Sequence, residues 1–406
     1  MIKFSILLII FQTILFAALN GNIIDINTLK PIDGAMISDS KITVKSDKNG
    51  NFSIDTDEKN LHIKSYGYRA LAIKNDTNLI NFKLEPITIK ALYLSFWKAN
   101  LDSNSLKKII QIIEKKEVNA VVVDIKSEYG LTSYKTSFKQ ANNYGASRKT
   151  TIKNIKSFID LMKSKNIYTI ARVVTFKDEL QALNNPSYAI KKNNGKIWRS
   201  RDKVAWVDPF DIRSHLYTIA IAEDAAKVGF DEINFDYIRF PAKSNLIFAK
   251  KNTQANRIEA ISKFLSSAKN RLRKYGVYIS VDIYGNILWT NDDSNIGQTI
   301  KSLSKNVDYI APMLYPSGFA KGFFGKKNPS NHPFIVIYKS LKNIKNIIEP
   351  IRVRPWLQYF RDYAHAKKRY KKFEINEQIR AAEKMKSNGW MMWSSSSRYH
   401  LNYFKI

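Results

Sequence analysis

The stretch "EINFDYIRFP", residues 232–241, sets Glu232, Asn234 and Asp236 among Ile233, Phe235, Tyr237 and Ile238. A strand buried on both faces normally reads as a continuous apolar run. This one carries a polar group at every second position and then ends in Arg239-Phe240-Pro241. "VYISVDIYG" (277–285) treats Asp282 in the same way, and "AVVVDIK" (120–126) does so with Asp124 and Lys126. Carboxylates on neighbouring strands can share acid–base and nucleophilic work at one bond. Glycoside hydrolysis needs such a pair, about 5 Å apart for retention and about 6.5–9.5 Å apart for inversion. Asp236 and Asp282 leave both ranges open.

Flat aromatic rings cover the apolar faces of sugars. The strand ends and the loops beyond them supply Trp97, Tyr129, Trp198, Trp206, Tyr237, Tyr284, Trp289, Tyr315, Trp356 and Trp393, of which Tyr237 is expected to pack outward. Other chemistries find less support. The chain has 0 cysteines, which excludes disulfides and thiolate sites. No histidine pair has zincin spacing and no Gly-x-Ser-x-Gly elbow occurs. No metal and no cofactor is expected.

These side chains need a scaffold that turns them to one place. From about residue 90, β-rich runs at 91–97, 120–126, 168–176, 232–240, 277–285, 308–316, 353–360 and 389–396 alternate with amphipathic helical patterns. One of those patterns, "IRSHLYTIAIAEDAAKVG", stops at Gly229. Eight strands alternating with helices predict an α/β fold, a (β/α)8 TIM barrel over 90–406. A doubly wound sheet is the alternative, but no Gly-rich phosphate fingerprint follows the first strand.

Alternation along barrel strands then sorts the side chains. Ile233, Phe235 and Tyr237 face the helices, with Val277, Ile279, Val281 and Ile283 on strand five and Val121, Val123 and Ile125 on strand two. Glu232, Asn234, Asp236, Tyr278, Ser280, Asp282, Tyr284, Val122, Asp124, Lys126 and Arg172 face inward. Asp124, Asp236 and Asp282 thus converge on the C-terminal mouth, where barrels place chemistry. The competing reading is a satisfied polar layer, with Asp124 paired to Arg172 or Lys126. Pro241 is expected to end strand four, with Arg239 folding over the mouth to orient a carboxylate.

Residues 20–86 have another rhythm, with short alternating runs broken by Pro-Ile-Asp-Gly, Lys-Asn-Gly and Tyr-Gly. That spacing predicts a small all-β sandwich. "KPIDGAMI", "VKSDKNGNFSI" and "IKSYGY" resemble the carboxypeptidase regulatory-like domain. Residues 1–19 read as a signal peptide or an N-terminal membrane anchor. Either reading implies export to the periplasm or cell envelope, or beyond the cell.

From residue 90 the chain resembles a family of bacterial exported proteins assigned as glycoside hydrolases with a TIM barrel. "AVVVDIKSEYG", "ARVVTFKDE", "WVDPF", "VGFDEINFDYIRFP", "SVDIYG", "DYIAPMLYPS", "RPWLQYF" and "GWMMWSSSSRY" carry the resemblance in order. In wider glycosidase families strand four often holds the nucleophile and strand five the acid/base, which implies Asp236 and Asp282 for those roles. The chain departs from two patterns. Asn234 stands where an amylase-like barrel has Arg, and the final Glu of the chitinase-like Asp-x-Asp-x-Glu is missing. Substrate contacts are expected from Asp124, Lys126, Arg172, Trp198, Trp206, Asn234, Arg239, Tyr284, Tyr315, Trp356, Gln358 and Trp393.

The expected partner is a polysaccharide or oligosaccharide of the envelope or extracellular matrix. The formal charge of +31 suits a partner of negative charge, whether nucleic acid, a membrane surface or an acidic glycan. The lysines are scattered and not clustered, which favours a solvated basic surface, and no nucleic-acid site is expected. Two further readings stand beside hydrolysis: a carbohydrate-binding barrel without catalysis, and an envelope structural or assembly protein.

Overall fold

The computed structural model describes residues 18–75, 80–365 and 367–404. The expected signal or anchor segment lies almost wholly outside the described residues. Among the described residues no helix is long and apolar enough to cross a membrane.

Eight parallel strands close into a barrel. They are β1 (Lys90–Leu94), β2 (Ala120–Lys126), β3 (Tyr168–Val174), β4 (Glu232–Asp236), β5 (Tyr278–Tyr284), β6 (Tyr309–Met313), β7 (Trp356–Gln358) and β8 (Trp390–Trp393). Neighbours in sequence are neighbours in space around the ring. Only β2 has its expected bounds; the other seven end short of theirs. The residues past those ends, such as Phe96, Phe176, Phe240 and Leu314, stay buried. Their apolar character continues the strand pattern into loops that pack over the barrel rim.

Helices sheathe the barrel because their apolar residues recur at three- and four-residue spacing. In Asn104–Lys115, Leu106, Ile109 and Ile112 are buried, and Ser103 caps the start by accepting from the Leu106 amide. Ile212–Val228 starts on Asp211 and stops at Gly229, whose φ of 108° a side chain would resist. The helical layer is uneven: the helix between β5 and β6 is only Ile300–Leu303, and a 3-10 turn, Leu401–Tyr403, follows β8. Val121, Val123, Ile125, Ile233, Phe235, Ile279, Val281 and Ile283 share one apolar core with Leu106, Phe158, Phe264 and Leu265 of the helices.

Inside the ring a separate apolar layer fills the lower barrel with Val122, Ile170, Tyr278 and Tyr309 and reaches up to Trp356 at the mouth. Glu232, the first inward residue of β4, lies on its floor. Arg354 Nη1 reaches both Glu232 carboxylate oxygens, at 2.9 and 2.8 Å, and the Tyr168 hydroxyl donates to the same group at 3.1 Å. Both members of the pair are fully buried. Arg354→Met therefore strands a carboxylate and should lower unfolding free energy by about 3–5 kcal/mol. Urea denaturation checks this, and pairing Arg354→Met with Glu232→Leu should restore much of the loss.

The N-terminal region is all-β. Leu19–Asp25 lies between Asn51–Ile54 and Asn81–Leu84, while Thr43–Lys45, Met36–Ser38, Asn60–Lys64 and Leu71–Lys74 make a second sheet. Ile23, Ile37, Phe52, Ile54, Ile63 and Phe82 from the two sheets share one core. This region seats against the lower end of the barrel. The Tyr278 hydroxyl donates to the Ser65 carbonyl at 2.8 Å, and Lys64 Nζ reaches Asp308 at 3.1 Å.

Strand β4 ends at Asp236, not at Pro241. Tyr237 takes φ 49°, a left-handed backbone that a bulky residue adopts only under constraint. The Tyr237 amide donates to its own neighbour's carboxylate, Asp236 Oδ1, at 2.6 Å. The break in extended backbone defeats alternation one residue beyond Asp236. Tyr237 accordingly lines the mouth cavity and does not pack outward.

Candidate active site

Three registers set the site. Arg172 of β3 lies beside Asp124 of β2 and Asn234 of β4, Val174 lies beside Asp236, and Asn234 lies beside Ser280 of β5. Inward residues at these levels point at one another across the ring. A cavity of about 200 Å³ opens above them, lined by Arg172, Asp236, Tyr237, Arg239, Asp282, Tyr284, Met313, Tyr315, Trp356 and Trp393. A larger groove of about 950 Å³ runs along the outer helices past Tyr188 and Leu216, but no acid lines it.

Arg172 is the hub. Its Nη2 and Nε donate to Asp236 Oδ2 at 2.5 and 3.1 Å, and its Nη1 donates to Asp124 Oδ1 at 2.5 Å. The same Nε lies 4.0 Å from Asp282 Oδ2. Trp393 is stacked on Tyr93 and carries the guanidinium over its ring at 5.0 Å. The arginine is buried, and the neighbouring carboxylates Asp124 and Asp236 hold its pKa well above the usual value against the cost of burial.

The three aspartates do not all share the cavity. Asp236 and Asp282 line it, whereas Asp124 lies behind Arg172, bonded to the guanidinium and to the Tyr93 hydroxyl. Like charges in a buried pocket repel, and a cation set between two of them is the arrangement that relieves this. Burial still raises the Asp124 pKa, opposed by Arg172.

Asp282 is held differently. Its Oδ1 accepts from Asn234 Nδ2 at 2.9 Å and from Trp356 Nε1 at 2.7 Å. Its Oδ2 is buried without a hydrogen-bond partner. Burial, and then the nearby Asp236 charge, push the Asp282 pKa well above the carboxylate range. One acid is thus ion-paired to an arginine while its neighbour favours the protonated form, the division of labour that acid–base chemistry needs.

The other expected contacts divide into those at the cavity and those away from it. Arg172, Arg239, Tyr284, Tyr315, Trp356 and Trp393 line it, and Asn234 stands beneath as the support of Asp282. Lys126 is fully buried in a pair with Asp178 at 2.8 Å and donates to the Val174 carbonyl. A register irregularity just past Arg172 sets Lys126 beside Val173. The Gln358 side chain bonds Ser317 and the Phe360 carbonyl and is fully buried. Trp206 is buried behind Tyr237, ring centroids 5.7 Å apart, and Trp198 packs on Trp206 at 6.1 Å. Neither tryptophan is a cavity wall, so both brace the wall from behind. Trp97, Tyr129 and Trp289 are exposed and lie outside the lining.

Arg239 makes no ion pair among the described residues, contrary to the expectation that it orients a carboxylate. Arg172 does that work. The Arg239 guanidinium carbon lies 4.9 Å from the Trp206 ring, 5.2 Å from Tyr237 and 4.9 Å from Tyr284. Sequence reasoning missed Tyr93 and Met313 as site residues. "PMLYP" carried a signal for Met313, but Tyr93 sits in an apolar run that marks only a strand. Among the described residues no cluster of acids and histidines could hold a metal ion.

Residues 91–399 match the family described as DUF4015, "Putative glycosyl hydrolase domain". The chain has no match among curated proteins. Among solved structures it is similar to a hypothetical protein from Ruminiclostridium thermocellum ATCC 27405, at 34% identity over 47% of this chain and 96% of that one, with a TM-score of 0.42. It is also similar to the PgaB (BpsB) glycoside hydrolase domain from Bordetella bronchiseptica, at 13% identity over 77% of this chain and 95% of that one, with a TM-score of 0.55. The second likeness is one of fold. Since the family model spans the barrel from its first strand to beyond its last, the chain belongs to the DUF4015 glycosyl hydrolase domain family.

Proposed function

We propose that the protein hydrolyses glycosidic bonds in an envelope or extracellular polysaccharide, with Asp236 and Asp282 as the working pair. The observation that carries this reading is their unequal setting in one cavity, Asp236 against Arg172 and Asp282 held toward the neutral acid. Asp282 would give its proton to the glycosidic oxygen as the bond to the anomeric carbon breaks and the electron pair leaves with that oxygen. Asp236 would meet the anomeric carbon directly, or take a proton from an attacking water. Tyr284, Tyr315 and Trp393 offer rings to the sugar faces. Export is part of the proposal and rests on the apolar run that opens the sequence.

A second reading has an observation of its own. Both Asp236 oxygens are already engaged, Oδ2 by Arg172 and Oδ1 by the Tyr237 amide. That suits a barrel that binds glycan without cleaving it. Purified protein incubated with envelope and exopolysaccharide fractions separates the two. New reducing ends support hydrolysis. Saturable glycan binding with no new ends supports the binding barrel.

A further inference from the structure

The geometry around Arg239 points to an anionic sugar as the group bound beside the scissile bond; this rests on the glycosidase reading of the cavity. Arg239 forms part of the same wall as Asp236 and Asp282. A guanidinium has five N–H donors in a planar fork. Two contacts use protein acceptors: Nη1 donates to the Phe240 carbonyl at 3.1 Å and Nη2 to the Tyr284 hydroxyl at 3.1 Å. Three donors remain for a ligand.

The rings of Trp206, Tyr237 and Tyr284 fix the guanidinium without neutralising it. Cation–π contacts hold the charge and its orientation, yet a quadrupole is not a counter-charge. Arg172, by contrast, already has Asp236 and Asp124. The neighbouring Lys177, its Nζ 4.7 Å from the Tyr237 ring, is paired with Asp202. Arg239 is therefore the cation of this wall that makes no ion pair with the described residues.

The other acid of the cavity does not oppose an incoming anion, because burial and the Asp236 charge favour its neutral form. A chain of +31 also draws polyanionic glycans toward it before any specific contact forms. Guanidinium and carboxylate match in plane and spacing, so a uronic acid is the best fit. A sulfate or phosphate ester offers the same charge to the same fork.

The test is calorimetry on the full protein with disaccharides ending in glucuronate, galacturonate, glucose 6-phosphate, glucose 6-sulfate or glucose. Wild type, Arg239→Gln and Arg239→Lys are compared, with thermal unfolding of each confirming the fold. Wild type should bind at least one anionic class about tenfold more tightly than the neutral sugar, as expected for charge-assisted bonds. That ratio should fall roughly tenfold in Arg239→Gln and recover in part in Arg239→Lys. Removing one of 66 basic residues barely changes the general field, so a loss of that size assigns the preference to this side chain. Preference for the uronates identifies a carboxylate; preference for the esters identifies a phosphorylated or sulfated sugar. Equal binding of neutral and anionic sugars, or an unchanged ratio in Arg239→Gln, overturns the inference and leaves the glycosidase reading standing. Binding of no saccharide at all overturns both.

Discussion

Asp236→Asn should abolish hydrolysis, lowering kcat by more than about 10³-fold while the barrel stays folded. The substitution keeps the shape of the side chain and an oxygen that can accept from Arg172. It removes the charge needed either to attack the anomeric carbon or to activate water. Arg172 keeps Asp124 as a counter-charge, so the guanidinium is not left wholly unpaired. Some loss of stability is expected, and thermal unfolding measures it separately from turnover. Reducing-end release from wild type and variant decides the question, and full activity in Asp236→Asn would refute the role. The anomeric form of the first product, read by NMR before mutarotation, then tells attack by Asp236 from attack by water.

The barrel was legible because its two packing environments leave different marks. The outer faces of β2, β4 and β5 need apolar residues against helices, and Val121, Ile233, Phe235, Ile279 and Val281 supply them. The inner face changes character with depth, from Val122 and Tyr278 low in the ring to the aspartates at the mouth. Carboxylates at every second position in an otherwise apolar strand therefore stand out in the sequence.

What was not legible depends on geometry off the regular strand. Alternation fails at Tyr237 because its backbone turns left-handed there, and no glycine marks the spot. Pairing partners are also hidden. Asp124 could have chosen Lys126 or Arg172, and only the register shift beside Arg172, with Asp178 arriving from the following loop, separates the two pairs. Gln358 carries the right chemistry for a sugar contact, yet the Ser317 amide and hydroxyl engage it first. Trp206 lies in a long loop, where an aromatic residue reads equally as platform or brace. Its burial decides for the brace.

Asp282→Asn should cost roughly 10²–10⁴-fold on a natural glycan, the usual worth of a positioned acid, and much less on an activated aryl glycoside. The difference follows from where the proton is needed. An alkoxide leaves poorly without protonation, whereas a good phenolate leaves without help. The site holds that proton by burial first and by the Asp236 charge second, opposed by Arg172. With Oδ1 accepting from Asn234 and Trp356, the unpartnered Oδ2 is the oxygen left to carry it. The folded pKa is raised, so the acid form persists above the unfolded value near 3.9, and natural-substrate turnover should fall as pH rises through the folded value. Stability has the same sign. Between the unfolded and folded pKa values the native state binds more protons than the unfolded state, so this group's contribution is full below the window and is lost as pH rises through it. Asp282→Asn should remove both the alkaline fall from whatever activity remains on the natural glycan and the matching fall in thermal stability. An equal loss of rate on both substrate types would refute the acid role. An alkaline limb that survives the substitution would assign that limb to another group, because an amide cannot titrate there.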